Sequence, residues 1–159
     1  GKIMTRWWGA LAIVVAAGID QATKTLALAN LSAREPLQLL PFLDLRISYN
    51  FGVSFGMFND PNIGSWIIIA PILAIILAMF YWLMLERRRG MVIGLGLIVG
   101  GALGNVIDRI RQGAVTDFID VFVGSYHWPT FNLADSFLFC GVVAVLLSSF
   151  GRRDAHGAE

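Results

Sequence analysis

Four stretches of this chain are almost wholly apolar, and each is long enough to cross a bilayer. A helix crosses the hydrocarbon with about 20 mostly apolar residues. The candidates run from Arg6 to Ala29, Trp66 to Leu85, Met91 to Ile110 and Asn132 to Phe150. The second contains no charged residue, the third gathers its polar residues at its far end, and the fourth carries them at its near end. Between the first two spans the period changes. Leu43, Leu45, Ile47, Tyr49 and Phe51 alternate with Asp44, Arg46, Ser48 and Asn50. A period of two predicts a half-buried strand, here ended by Gly52 and Gly56. Its expected partner is Val115 to Val123 in the other long connection. The pattern therefore predicts an all-α membrane protein. Four transmembrane helices form one integral membrane unit over residues 1–159, with outer loops 30–65 and 111–131 carrying a small sheet.

Composition sharpens this picture. Of 159 residues, 57% are hydrophobic and only 14% charged, against about 25% charged in soluble proteins. A soluble domain of this size has too little interior for so much apolar surface. The net charge of +1 predicts no nucleic-acid or other polyanionic partner. A single cysteine, Cys140, excludes an intramolecular disulfide and any zinc site made of cysteines. It lies deep in the fourth span, where an inert packed thiol is expected.

Two features of the first span compete. Lys2 and Arg6 before Trp7–Ile19, with Ala27-Leu28-Ala29 beyond, follow the grammar of a cleaved signal peptide. Asp20 and Lys24 interrupt the stretch before that site, so a retained span is expected. Orientation follows from the cations. Lys2, Arg6, Arg87, Arg88, Arg89, Arg152 and Arg153 fall on one side. Arg34, Arg46, Arg109 and Arg111 are spread thinly on the other. Both termini are thus expected in the cytoplasm.

Ionisable groups inside a span are costly and are functional candidates. Asp20 and Lys24 lie about 20 Å or more along the first helix from its inner end. Asn105, Asp108 and Arg109 end the third helix, and Asn132, Asp135 and Ser136 begin the fourth. Three helices thus bring polar groups to the same outer-leaflet depth. Each cluster also has a plain structural reading. Asp20–Lys24 can be an ion pair at i,i+4. Arg109 can snorkel to the headgroups. Asn132 and Asp135 can cap the fourth helix. The outer loop adds Asp117 and Asp120. Asp135 with one of these would make an acid–base dyad, because two close carboxylates share a proton rather than both ionise. The ionised member takes a proton from attacking water, and the protonated member polarises the scissile carbonyl. No HExxH motif occurs, and the histidines are His127 and His156. Neither a metal nor a cofactor is expected. Ser54, in Gly-Val-Ser-Phe-Gly, reads as a turn residue. Gly96, Gly100 and Gly104 recur every fourth residue and predict close helix packing.

These residues fall into five ordered blocks: Asp20-x-x-Thr23-Lys24, Asn50-x-Gly52-x-x-Phe55, Gly100-Gly101-x-x-Gly104-Asn105-x-x-Asp108-Arg109, Val115-x-Asp117-Phe118, and Phe131-Asn132-x-Ala134-Asp135-Ser136. Together they resemble the lipoprotein signal peptidases, the bacterial type II signal peptidases. The resemblance implies an aspartyl endopeptidase of the bacterial inner membrane, with its site toward the periplasm. It would remove the signal peptide just before a cysteine carrying a diacylglyceryl group. It implies Asp117 and Asp135 as the catalytic pair, and Asn50, Asn105, Arg109 and Asn132 around the pair and the substrate. Asp20, Lys24 and Asp108 become structural polar residues. Asp120 has no counterpart and becomes a surface or supporting residue. The expected partners are the prolipoprotein and membrane lipid, with the enzyme a monomer. Tyr49, Phe51 and Phe55 are expected to roof the site. The rival reading is a small proton- or ion-coupled transporter relaying through Asp20, Lys24, Asp108 and Asp135. A second rival is a scaffold that docks a partner through its glycine face.

Overall fold

A computed structural model describes residues 1–52 and 61–151, without the side chains of residues 61–63. Ser54, Phe55, Gly56, Arg152, Arg153 and His156 fall outside the described residues. The element order is α1 (Lys2–Asn30), β1 (Leu37–Leu40), β2 (Leu43–Asn50), α2 (Pro61–Leu85), α3 (Arg89–Gln112), β3 (Val115–Val123), β4 (Tyr126–His127) and α4 (Leu133–Phe150). All four helices are long and apolar enough to cross a membrane. α1 and α2 begin earlier than the apolar runs alone predict. A helix continues past its apolar stretch for as long as its backbone hydrogen bonds are unopposed, and hydropathy does not see that continuation.

α3 is the central helix. Of its most apolar window 61% is buried, against 28% for α1, 17% for α2 and 11% for α4. Its glycines explain how. A Cβ added at Gly100 would stand 2.7 Å from the Ile13 carbonyl oxygen of α1, and one at Gly101 would stand 2.6 Å from the Ala134 carbonyl oxygen of α4. A Cβ at Gly104 would collide with the Asp20 carboxylate. Backbones that approach this closely gain dispersion contacts, the main attraction between helices in lipid. The expected glycine face is thus internal, between α3 and α1. Val14, Ile75, Leu77 and Leu147 point outward, exposed on the isolated chain. Cys140 is exposed as well. This corrects the packed thiol expected from sequence: α4 is buried on a narrow stripe, and Cys140 lies off it.

The sheet is antiparallel with order β1-β2-β3-β4. β2 and β3 pair as the alternation predicts, with Ser48 opposite Asp117 and Asn50 opposite Val115. The register slips between Leu45 and Ser48. Ile47 and Phe118 pack on Ala27 near the end of α1, which docks the sheet on the bundle. At the opposite end of the helices, Arg88 pairs with Glu86 at 2.9 Å and Arg89 lies over the Trp8 ring at 4.0 Å.

Candidate active site

The polar residues of three helices and one strand meet where the sheet joins the bundle. Lys24 lies at the centre of the structural half. Its Nζ reaches Asp20 Oδ2 at 2.8 Å, Asp108 Oδ2 at 2.9 Å and Asn105 Oδ1 at 3.0 Å. The buried ammonium thus donates to Asp20 and Asn105 and is ion-paired with both carboxylates. Each carboxylate also grips a neighbouring element. Asp20 Oδ1 accepts the Ala134 N–H at 3.0 Å, in the first turn of α4. Asp108 Oδ2 accepts the Thr116 N–H at 3.0 Å, at the start of β3. The residues following those two anchors are Asp135 and Asp117.

Asn132 joins the two candidate catalytic carboxylates. Its Nδ2 donates to Asp117 Oδ1 at 2.8 Å. Its Oδ1 accepts the Asp135 N–H at 3.0 Å, and its own N–H donates to Asp135 Oδ2 at 3.1 Å. The last two bonds are a capping box at the start of α4. Capping and the proposed catalytic placement are therefore the same geometry here: the cap that starts the helix also aims the carboxylate. Asn105 Nδ2 donates to Asp135 Oδ1 at 3.1 Å. Asn105 Oδ1 accepts from Asn132 Nδ2 at 3.1 Å as well as from Lys24.

Asp117 is 3% exposed. Burial, followed by the charge of Asp135, pushes its carboxyl up to about 7, against weaker pull from Asn132, Lys24 and Arg109. Arg109 is half-buried beside Gly52. Its Nε is buried and has no hydrogen-bond partner among the described residues. The charges of Asp117, Asp135 and Asp108 all act on it. Beside it the chain turns at Gly52, whose φ of +76° admits glycine most readily. Asn50 Oδ1 accepts the Gly52 N–H at 2.9 Å and shapes that turn. Asn50 thus borders the site through the turn. An open cleft of about 540 Å³ lies above Asp117. Ser48, Tyr49, Asn50, Phe51, Gly52, Pro129 and Thr130 form its other walls. Tyr49 and Phe51 thus border the cleft, while Phe55 lies outside the described residues.

Asp120 is not at the surface: it is 1% exposed, and Arg46 and His127 hold it. Sequence reasoning also missed Gln21, whose Nε2 bridges Asp20, Asp108 and the Gly104 carbonyl at 3.2, 3.0 and 3.0 Å. The signal was present as an amide inside an apolar span, one residue after Asp20. No group of three or more His, Cys, Asp or Glu side chains arranged to hold a metal occurs among the described residues.

Comparison with known proteins identifies the family. The family model described as signal peptidase (SPase) II matches residues 12–151. The lipoprotein signal peptidase of Methylobacterium radiotolerans is 42% identical over 153 residues, covering 92% of this chain and 89% of the relative. That of Beijerinckia indica subsp. indica is 39% identical over 150 residues, covering 92% and 90%. A solved bacterial membrane enzyme superposes with a TM-score of 0.75 at 30% identity, over 88% of this chain and 90% of its own. The chain belongs to the signal peptidase II family and is a membrane peptidase.

Proposed function

We propose that the protein removes the signal peptide from diacylglyceryl-modified prolipoproteins, and that Asp117 and Asp135 are its catalytic pair. The observation that carries the proposal is the single Asn132 side chain bonded to both acids, Asp117 Oδ1 and the Asp135 N–H. Asp135 serves as the base. Both its oxygens accept fixed N–H bonds, from Asn105 and from the Asn132 backbone, so its lone pairs are oriented. It takes a proton from water as the water oxygen bonds to the scissile carbonyl carbon. Asp117 holds its proton up to about pH 7 and donates it to the carbonyl oxygen. The tetrahedral intermediate collapses when a hydroxyl proton returns to the ionised Asp117, the carbonyl re-forms, the C–N bond breaks, and the proton on Asp135 passes to the departing amine. Arg109, whose Nε has no hydrogen-bond partner among the described residues, offers an N–H to a substrate carbonyl. Asn50 and Gly52 wall the cleft, and Lys24, Asp20 and Asp108 hold the scaffold.

The cation distribution supports cytoplasmic termini, with sheet and dyad on the periplasmic side of the bacterial inner membrane. A lipidated cysteine and an apolar signal helix both reach that depth sideways from the bilayer. The enzyme is taken to act as a monomer. The relatives offer no support for the transport reading.

The test is cleavage of one prolipoprotein with and without its diacylglyceryl group by purified protein in detergent. The modified form is cut before its cysteine and the unmodified form is not. Equal cutting of both contradicts the assignment.

The pH dependence has a defined sign. Asp117 loses its proton as pH rises through about 7, so kcat/KM falls on that limb, and Asp117→Asn removes the titration along with the activity. Stability follows the same direction. The unfolded carboxyl titrates near 3.8, so the native state binds more protons from about pH 4 to about 7 and loses stability across that window as pH rises. A pH–rate profile still rising well above neutrality contradicts this.

A further inference from the structure

Three segments line the cleft: Ser48–Gly52 at the end of β2, Asp117 on β3, and Pro129–Thr130 after β4. A second side-chain cluster reaches all three without entering the cleft. Asp120 lies three residues beyond Asp117. Arg46 lies two residues before Ser48, and His127 two before Pro129. Asp120 Oδ2 accepts from Arg46 Nε at 2.9 Å, and Asp120 Oδ1 meets His127 Nδ1 at 2.8 Å. One carboxylate thus ties β3 to a strand on each side. We propose that Asp120, Arg46 and His127 form a latch that fixes the walls of the cleft relative to one another, making Asp120 and His127 positioning residues for substrate binding. This rests on the peptidase reading given above.

The latch lies where the backbone holds the walls least. Arg46 occupies the slip in the β2–β3 register between Leu45 and Ser48. β4 has only two residues, paired as Phe122 with His127 and Val123 with Tyr126. The His127 ring also stacks on Phe122, with centroids 4.9 Å apart. Beyond β4 the chain is held by Trp128 N–H to the Val121 carbonyl at 2.8 Å and by the Ile119–Phe131 bridge. Loss of the His127 bond therefore loosens this wall without unfolding it.

Charge argues the same way. Asp44 stands directly opposite Asp120, and its Oδ1 is buried without a hydrogen-bond partner among the described residues. Like charges opposite one another in a sheet repel. Arg46 supplies the cation that pairs with Asp120. Burial opposes charge on Asp120, but the bonds from His127 and Arg46 outweigh it and hold the carboxyl below its ordinary range. An ionised carboxylate only accepts, so His127 Nδ1 carries the proton. Its ring is about half exposed, so it can be replaced without opening a core.

The dyad's own bonds run through Asn132 and Asn105 rather than the latch. Loosened walls therefore weaken substrate binding more than chemistry. In detergent, with the diacylglyceryl prolipoprotein as substrate, His127→Ala raises KM about tenfold, the size of one charged hydrogen bond, and leaves kcat within about twofold. His127→Asn, whose side-chain N–H replaces Nδ1–H, returns KM to within about twofold of wild type. An unchanged KM in His127→Ala, or a fall in kcat as large as the rise in KM, overturns the latch. The imidazole ¹⁵N shifts of His127 give a readout independent of activity. A proton on Nδ1 supports the latch, and a ring protonated only on Nε2 overturns it. A wild type that does not cut overturns the peptidase reading instead and leaves the spectroscopic arm to decide the latch's geometry.

Discussion

Asp135→Asn and Asp117→Asn each lower kcat by about 10³-fold or more, at the upper end of what one acid or base supplies, while the protein stays folded. The substitutions are isosteric and keep most of the local bonding. An amide at position 117 still accepts from Asn132 Nδ2 through its oxygen. An amide at position 135 still accepts from Asn105 at one atom, and loses only the bond from the Asn132 N–H. What disappears is proton transfer. An amide at 135 takes no proton from water, and one at 117 has no acidic proton to give the carbonyl. The two losses are not additive, because the residues act as one unit. Asp120→Asn behaves differently: it loosens the latch and leaves most of kcat. Steady-state cleavage by the three variants separates these outcomes. A Asp120→Asn loss as deep as that of Asp117→Asn would move the acid to the other candidate carboxylate.

Lys24→Met has the largest structural effect. It leaves Asp20 and Asp108 buried without their shared cation. Removing one partner of a buried ion pair costs about 3–5 kcal/mol, more than the pair itself contributes, because an uncompensated charge remains. The damage does not stay local. Asp20 holds the Ala134 N–H and Asp108 holds the Thr116 N–H, so relaxation of either carboxylate shifts the residue before a dyad member. Thermal unfolding in detergent should show a large drop in Tm together with lost cleavage. The triple variant Lys24→Met, Asp20→Asn, Asp108→Asn should recover much of the stability, since no buried charge remains unpaired. A single Lys24→Met variant as stable as wild type would mean that the cluster is solvated rather than buried.

Much of the architecture was legible because lipid imposes a strict pattern. Apolar length marks α2 without ambiguity, and the glycines at 96, 100 and 104 mark the face of α3 that meets α1. The β2–β3 pair was legible because alternation from Leu43 to Phe51 admits one face only. β1 was not, because Leu37-Gln38-Leu39-Leu40 has no period to distinguish a strand from a short apolar run. β4 has only two residues, below what any pattern can show. The depth of the polar residues was readable by counting along helices, but their partners were not. Nothing in the spacing says that Asn132 reaches Asp117 or that Asp20 reaches across to α4. Those contacts exist because Gly101 and Gly104 let three backbones close to touching distance. Asp120 shows the same limit. As a residue it was one of two candidate carboxylates, and its bonds to Arg46 and His127 depend on strands that the sequence only half revealed.

Mass spectrometry of the products identifies both the bond that is cut and the residues that cut it. A diacylglyceryl prolipoprotein is incubated in detergent with EDTA and either wild type or the Asp117→Asn, Asp135→Asn double variant. Wild type should yield one new N-terminus, at the lipidated cysteine, and the double variant none. The same product from the double variant, or cutting at another bond by wild type, would contradict it.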